Sequence, residues 1–332
     1  MSTKEGTRPT APQAPGRRDK PAPVVHKFVE LIPSGTKVDF VGMRGRMLVF
    51  SWALILASLA FTHFVRGGLR LGIDFAGGTM VHVKFAERTS IGDIRAALSK
   101  PELGEVIVQD VGRDSREFQI RLLGGEGGQG ATSVAAAIKK GLQEKFGEGT
   151  YDVLRVETVG PKVGKDLWWD AFWAVLFATV VMGVYIAFRF EVRFGIGAAI
   201  ALVHDVLLTL GALGVFQMEF DLTTVAALLT VVGYSVHDTV IVSDRIRENM
   251  RKMRRDTLAT IMNLSINETL SRTLITSGTA ILVTLVLFLF GGSVIHSFAF
   301  TLLVGFIVGT YSSIYVASPV VLYLEGRTRA RR

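Results

Sequence analysis

Three ionisable residues, Asp205, Asp238 and Arg272, lie inside or at the edge of long apolar runs of the sequence. An ionised side chain at the centre of a bilayer costs several kcal/mol on insertion scales, so each of the three is a functional candidate. A carboxyl group in such a place can take up and release a proton, and an arginine on a neighbouring helix can offset its charge. The three residues therefore predict proton transport, with Asp238 as the carrier.

These residues also have simpler interpretations. Asp238 is expected about 8 Å inside the midplane at 1.5 Å rise per residue, in the same half of the membrane as Arg272, so a salt bridge between them is a hypothesis. The pair could instead be purely structural, and Arg272 could be a snorkelling anchor. Asp205, near the midplane, could simply bind a hydroxyl or a tryptophan across a helix interface. His204 and His237 each precede an aspartate, but adjacent helical positions point in different directions, which disfavours a metal site.

Six stretches are long and apolar enough to hold these residues in a membrane. The 332 residues are 49% hydrophobic with a mean hydropathy of +0.39, and a helix needs roughly 20 mostly apolar residues to cross a bilayer. The chain has no cysteine, which excludes disulfides and thiolate catalysis. The predicted spans are 47–65, 169–187, 194–216, 222–242, 274–290 and 294–324, the last shortened by the Ser318-Pro319 step. The first span lacks a cleavage signature and is predicted to be a retained anchor.

The positions of the basic residues predict the orientation. Lys and Arg are concentrated in the leader 1–46, after the fourth span and in the tail 325–332, and such segments stay cytoplasmic. Arg189 and Arg193 fall on the same side, whereas the turns 217–221 and 291–293 contain no Lys or Arg. Both termini are therefore predicted inside, and residues 66–168 on the periplasmic side.

The net charge of +8 comes from basic residues that border the membrane spans, so nucleic acid is not an expected partner. Residues 1–23 have too little apolar content to pack and are expected to be disordered.

The periplasmic segment has the periodicity of a small α+β domain. It is predicted to hold a strand at 79–85, a helix at 90–99, strands at 105–111 and 117–122, a helix at 133–146 and a strand at 151–158. The order βαββαβ is that of a ferredoxin-like fold, a four-stranded antiparallel sheet with both helices on one face. The glycine run 124–130 lacks the Lys-Ser/Thr ending of a phosphate-binding loop, so a flexible connector is predicted there.

Five motifs carry a resemblance to a known family. They are GIDFAGGT at 72–79, VHDV at 203–206, VGYSVHDT at 232–239 with DRIREN at 244–249, ETLSRT at 268–273, and VGFIVGTYSS at 304–313. In this order and spacing, over residues 38–324, the chain resembles the SecF family, the smaller half of the SecD-SecF protein-export complex and a relative of resistance-nodulation-division transporters. The family's intramembrane aspartate and arginine fall on Asp238 and Arg272, and its third-span aspartate falls on Asp205.

The resemblance implies a protein of the inner (cytoplasmic) membrane that is not an enzyme and needs no cofactor beyond the proton gradient. Its six helices would be half of a pseudo-symmetric twelve-helix bundle formed with SecD, beside the SecYEG channel and with YajC as a further partner. Inward proton flow would drive late export and release of a preprotein, protonation of Asp238 breaking its pairing with Arg272 and tilting the outer domain.

Three other functions are alternatives. A passive scaffold of the translocase and a small-molecule efflux transporter of the same superfamily would both keep the six spans. A membrane aspartyl protease would use Asp205 and Asp238 as a carboxyl pair, but the Gly-x-Gly-Asp signature of those enzymes is missing from the sequence.

Overall fold

The computed structural model describes residues 36–99, 106–111, 114–123, 131–292 and 294–330. The first 35 residues of the predicted leader and the glycine run 124–130 lie outside these ranges. In chain order the elements are α1 (Phe40–Phe64), β1 (Arg70–Leu71), α2 (Ile73–Ala76), β2 (Gly78–Phe85), α3 (Ile91–Leu98), β3 (Val106–Asp110), β4 (Glu117–Leu123), α4 (Ala131–Phe146), β5 (Tyr151–Val159), α5 (Pro161–Arg189), α6 (Val192–Val215), β6 (Glu219–Phe220), α7 (Leu222–Lys252), α8 (Leu258–Phe290), α9 (His296–Ser312), a π-helical segment (Ser313–Ala317) and α10 (Ser318–Ala330).

Six of these helices are long and apolar enough to cross a membrane, as predicted: α1, α5, α6, α7, α8 and the continuous helix His296–Gly326. Several extend well beyond the apolar runs. α7 continues ten residues past the predicted end, because Glu248 pairs with Arg245 and Lys252 at 2.6 Å each and so supports the last turns. α8 begins sixteen residues early, where the Thr257 side chain caps its first turn. Hydropathy marks the part of a helix that lies in lipid, not its ends.

The last span is not interrupted at Pro319. A proline inside a helix lacks an N–H and its ring crowds the carbonyl four residues earlier. Here the π-helical segment Ser313–Ala317 directly precedes Ser318-Pro319, and the Ser318 hydroxyl donates to the Ser313 carbonyl at 3.1 Å. The wider π turn accommodates the proline ring, so the predicted shortening of this span is wrong.

The helices form an inner and an outer layer. The most apolar windows of α6, α7 and the last span are 56%, 56% and 67% buried within the chain, against 22%, 17% and 17% for α1, α5 and α8. Close packing of the inner helices depends on Gly305 and Gly309 of α9, which face Val231 and Ser235 of α7. Asp205 and Asp238 therefore lie in the best-packed part of the bundle.

The segment between α1 and α5 folds as predicted into a ferredoxin-like domain. Its sheet has the order β3-β4-β2-β5 with antiparallel neighbours throughout. α3 and α4 cover one face and share a core with the strands, in which Val83, Ile94, Phe118, Ile138 and Leu142 are fully buried. At the other end of the domain, β5 leads through Gly160 directly into α5, whose first residue is Pro161.

One ion pair on this domain makes its stability pH dependent. Lys84 Nζ donates to Glu117 Oε1 at 2.7 Å, and this hydrogen bond lowers the pKa of Glu117 from 4.5. A lowered carboxyl pKa stabilises the fold above the ordinary value, and that contribution is lost as the pH falls through the lowered value. We expect Lys84→Ala to raise the pKa of Glu117 towards 4.5 and to cost less than about 1 kcal/mol, because the pair is partly exposed. Carbon-13 NMR titration of the glutamates would show this shift, with Lys140→Ala as the control, and an unchanged Glu117 titration would contradict it.

Candidate functional site

Asp238 lies in the middle of α7 with its carboxyl group buried at the interface with α8. The Ser277 hydroxyl of α8 donates to Oδ2 at 2.8 Å, while Oδ1 is buried with no hydrogen-bond partner among the described residues. A buried carboxylate oxygen without a donor is costly, and protonation of the group removes most of that cost. Asp238 therefore has the surroundings of a group that changes its protonation state.

A short ladder of polar side chains surrounds Asp238. Tyr234 lies one turn before it on α7, and Thr273 lies one turn before Ser277 on α8. The hydroxyl oxygens of Tyr234 and Thr273 are also buried without a hydrogen-bond partner in the described part of the chain. Unsatisfied polar atoms at this density are unusual in a packed interface. Three buried side-chain oxygens without a partner among the described residues thus lie around Asp238.

Arg272 does not form the predicted ion pair with Asp238. Within the described ranges no acidic side chain pairs with Arg272, which instead lines an open crevice with Glu268 and Asp244. Rotation of α8 explains this. Five residues of an α-helix turn through about 500°, so when Ser277 faces Asp238 the Arg272 side chain points about 140° away. The sequence predicts the depth of Asp238 and Arg272 in the membrane and that their helices are neighbours. It does not predict the rotation of α8 about its own axis.

Asp205 is the centre of a second polar cluster, in which both of its carboxyl oxygens have partners, although Nε2 of His204 is buried without one among the described residues. Its Oδ2 accepts hydrogen bonds from Ser235 of α7 at 2.5 Å and from Ser312 of α9 at 2.7 Å, and Oδ1 lies 3.0 Å from Nδ1 of His204. The His204 ring packs between Trp52 of α1 and the Tyr311 ring. These contacts fit the interpretation in which Asp205 binds a hydroxyl across a helix interface. They join the four helices α1, α6, α7 and α9. The described residues include no group of three His, Asp or Glu side chains placed to hold a metal ion.

The three contacts of the Asp205 carboxyl group predict a structural effect of substitutions at this position. Asp205→Ala leaves the buried Ser235 hydroxyl and Nδ1 of His204 without this partner, whereas the Ser312 hydroxyl can still donate to the Gly309 carbonyl at 3.1 Å. Each orphaned group costs about 1–3 kcal/mol. We expect a clear fall in the thermal unfolding temperature of the detergent-solubilised protein, whereas Asp205→Asn keeps one acceptor and falls less. Thr230→Ala, at an exposed hydroxyl of α7, is the control. An Asp205→Ala protein as stable as the control would contradict this role.

The segment 72–79 connects the outer domain to the start of α7. β1 pairs in parallel with β6, and Asp74 Oδ2 accepts the backbone N–H of Leu222, the first residue of α7, at 3.0 Å. The Phe75 ring stacks on Phe220 at 5.2 Å and meets Trp168 of α5 at 5.5 Å. Gly77 has φ +72° and a Cβ there would lie 3.0 Å from Pro161, so only glycine fits without strain. The motif thus joins the domain to the helix that carries Asp238.

An ion pair adds a second connection. Arg121 of β4 pairs with Glu219 of β6, with side-chain exposures of only 12% and 13%. The backbone N–H of Glu219 in turn donates to the Ser297 hydroxyl at the start of α9, at 3.1 Å. The sheet of the outer domain is thereby linked to the α6–α7 connection and to α9. Sequence reasoning missed this link, because a two-residue strand has no periodicity to detect.

Six spans, a ferredoxin-like domain after the first span and two buried carboxyl clusters define a polytopic membrane protein of the transporter type. Comparison with known proteins gives the family. Residues 138–327 match the family model described as "Protein export membrane protein SecD/SecF, C-terminal", and residues 64–87 match the "SecD/SecF GG Motif". The chain belongs to the SecF family.

Curated relatives and a crystal structure agree with this assignment. "Protein translocase subunit SecF" of Magnetococcus marinus is 46% identical over 91% of this chain and 97% of its own length. The protein of the same name from Desulfurispirillum indicum is 44% identical over 86% and 91%. The crystal structure of SecDF, a translocon-associated membrane protein from Thermus thermophilus, superposes with a TM-score of 0.74 at 35% identity, covering 88% of this chain and 39% of that one. The relatives' names describe transport rather than catalysis.

Proposed function

We propose that this protein works with SecD as a proton-driven part of the protein-export machinery. The SecDF match supports the partnership, because the chain covers 39% of a protein in which both parts are joined. In this proposal both termini are cytoplasmic, the ferredoxin-like domain is periplasmic, and the complex acts beside SecYEG, with YajC as an accessory, on a preprotein that is leaving the channel. No cofactor is needed, since the proton gradient supplies the energy.

The observation that carries the proposal is the half-satisfied carboxyl group of Asp238. When it is ionised, the Ser277 hydroxyl donates to Oδ2, while Oδ1 has no hydrogen-bond donor among the described residues. Protonation relieves this imbalance and lets the α7–α8 interface repack. Arg272 then acts from the crevice next to this interface, as a positive charge that favours release of the proton, rather than as a partner in a permanent ion pair.

The connections of α7 supply the route to the outer domain. A shift of α7 moves its first residue, which Asp74 holds, and the neighbouring Glu219, which Arg121 holds. A displacement at these two points tilts the sheet relative to the membrane. Each proton that crosses 100 mV provides about 2.3 kcal/mol for this movement.

The test is export of a labelled preprotein into inverted vesicles that contain SecYEG, with and without the SecD-SecF complex and with and without an uncoupler. We expect the complex to stimulate the late stage of export only while the gradient is present. Stimulation that persists in the presence of uncoupler would favour the passive scaffold and reject the proposal.

A further inference from the structure

A polar crevice opens at the ends of α5, α7 and α8, on the face of the bundle opposite the ferredoxin-like domain. It comprises two adjoining cavities of about 600 and 380 Å³ that share Arg189, Asp244 and Glu248. Both volumes lie within the range of about 300–1,000 Å³ that is common for ligand sites. Further arginines line it, Arg245 and Arg272 in the larger cavity and Arg247 and Arg251 in the smaller one; together with Arg189 they form what we call the arginine crevice.

Most of this positive charge is uncompensated. Arg245 is engaged by Glu248 at 2.6 Å and by Glu268 at 2.7 Å, and Lys252 also pairs with Glu248. The other four arginines have no acidic partner within the described part of the chain, and Asp244 is the remaining carboxylate of the lining. Four guanidinium groups against one carboxylate favour an anionic ligand, and guanidinium groups bind phosphate oxygens in pairs of parallel hydrogen bonds.

The position of the crevice favours a lipid over a free anion. Arg189 is the last residue of α5, next to Phe188, which is 94% exposed, and Tyr185, which is 54% exposed and lines the crevice. Upstream on the same helix, Val181 and Val184 are also exposed. A molecule with its phosphate among the arginines can therefore lay its acyl chains along the apolar side of α5. Basic pockets between transmembrane helices at the membrane border are typical sites of anionic headgroups.

We propose that the arginine crevice binds the phosphate headgroup of an anionic phospholipid, with Arg189, Arg247 and Arg251 as its ligands. Arg247 and Arg251 are four residues apart on α7 and so share one face of the helix. Nη1 of Arg247 also donates to the Arg189 carbonyl oxygen at 3.4 Å, which brings the α5 and α7 sides of the site together. A lipid there bridges the end of α5 to α7, near Arg272 on the larger side of the crevice.

The test uses the purified complex with SecD, exchanged into nanodiscs of mixed phosphatidylglycerol and phosphatidylcholine and then returned to detergent for native mass spectrometry. We expect retained phosphatidylglycerol in the wild type and at least a tenfold loss in Arg247→Gln/Arg251→Gln, since each basic residue near the surface contributes roughly fivefold. Arg254→Gln/Arg255→Gln removes the same charge from exposed positions outside the crevice and should retain lipid like the wild type. Thermal unfolding of each complex checks that the variants are folded.

Two outcomes would overturn the proposal. Equal retention of phosphatidylglycerol by the wild type and both double variants would mean that the crevice is not a lipid site, as when SecD covers it. No retained phosphatidylglycerol in the wild type, together with a rise of its unfolding temperature on adding inorganic phosphate that Arg247→Gln/Arg251→Gln does not show, would identify a free-phosphate site instead.

Discussion

The Asp238→Asn protein is expected to assemble with SecD normally and to lose all stimulation of export by the proton gradient. Asparagine has nearly the shape of aspartate and can accept the hydrogen bond of Ser277, so the α7–α8 interface keeps its packing. It cannot carry a proton, and the roughly 2.3 kcal/mol that each proton provides at 100 mV is no longer coupled to movement. Export into inverted vesicles should then fall to the level of uncoupled wild type, with no further loss on adding uncoupler.

Asp256→Asn is the matched control, because Asp256 lies exposed in the α7–α8 loop and carries the same change of charge. It should export like the wild type. Ser277→Ala is a second informative variant, since it removes the hydrogen bond that Ser277 donates to the Asp238 carboxyl group and should change the pH dependence of export rather than abolish it. An Asp238→Asn complex with wild-type, uncoupler-sensitive export would contradict the carrier role of Asp238.

Breaking the Arg121–Glu219 pair is expected to uncouple the outer domain from the bundle. Arg121→Ala leaves the mostly buried Glu219 carboxylate without its cation, a loss of about 3 kcal/mol for a buried pair. We expect a lower unfolding temperature and strongly reduced export, while proton uptake through Asp238 remains, because the two sites are at opposite ends of the connection.

The charge-reversed double variant Arg121→Glu/Glu219→Arg separates coupling from general damage. It restores opposite charges across the same interface and should recover much of the stability and export lost in either single variant. Lys84→Ala, which breaks an exposed ion pair of the same domain, is the control and should export normally. Arg121→Ala with unchanged unfolding temperature and export would show that the pair transmits nothing.

The sequence is sufficient for the main architecture because the relevant signals are local. Spans appear as apolar runs, and the order βαββαβ follows from periodicities of about two and 3.6 residues within each element. The candidate residues Asp205 and Asp238 stand out because charge in lipid is costly wherever it occurs. Each of these inferences needs only neighbouring residues, and the structure confirms the six helices and the ferredoxin-like domain.

Features that depend on distant residues or on helix rotation could not be predicted from neighbouring residues in the sequence. The β1–β6 pair joins two-residue segments that are about 150 residues apart in the chain, Arg70–Leu71 and Glu219–Phe220. Arg272 was matched to Asp238 by depth, whereas the axial rotation of α8 turns Ser277 to Asp238 instead. Rotation depends on the packing of the whole bundle, so no local pattern predicts it.

Distance measurements can show directly whether the outer domain moves when Asp238 changes protonation. The chain has no cysteine, so spin labels can be placed at Lys140→Cys on α4 and Val294→Cys before α9 in the complex with SecD. Pulsed electron paramagnetic resonance at high and low pH then gives the distance distribution between domain and bundle. We predict a shift on acidification in the wild type, and in Asp238→Asn a single distribution at both pH values that matches the acidified wild type. The same pH-dependent shift in both proteins would contradict the central role of Asp238.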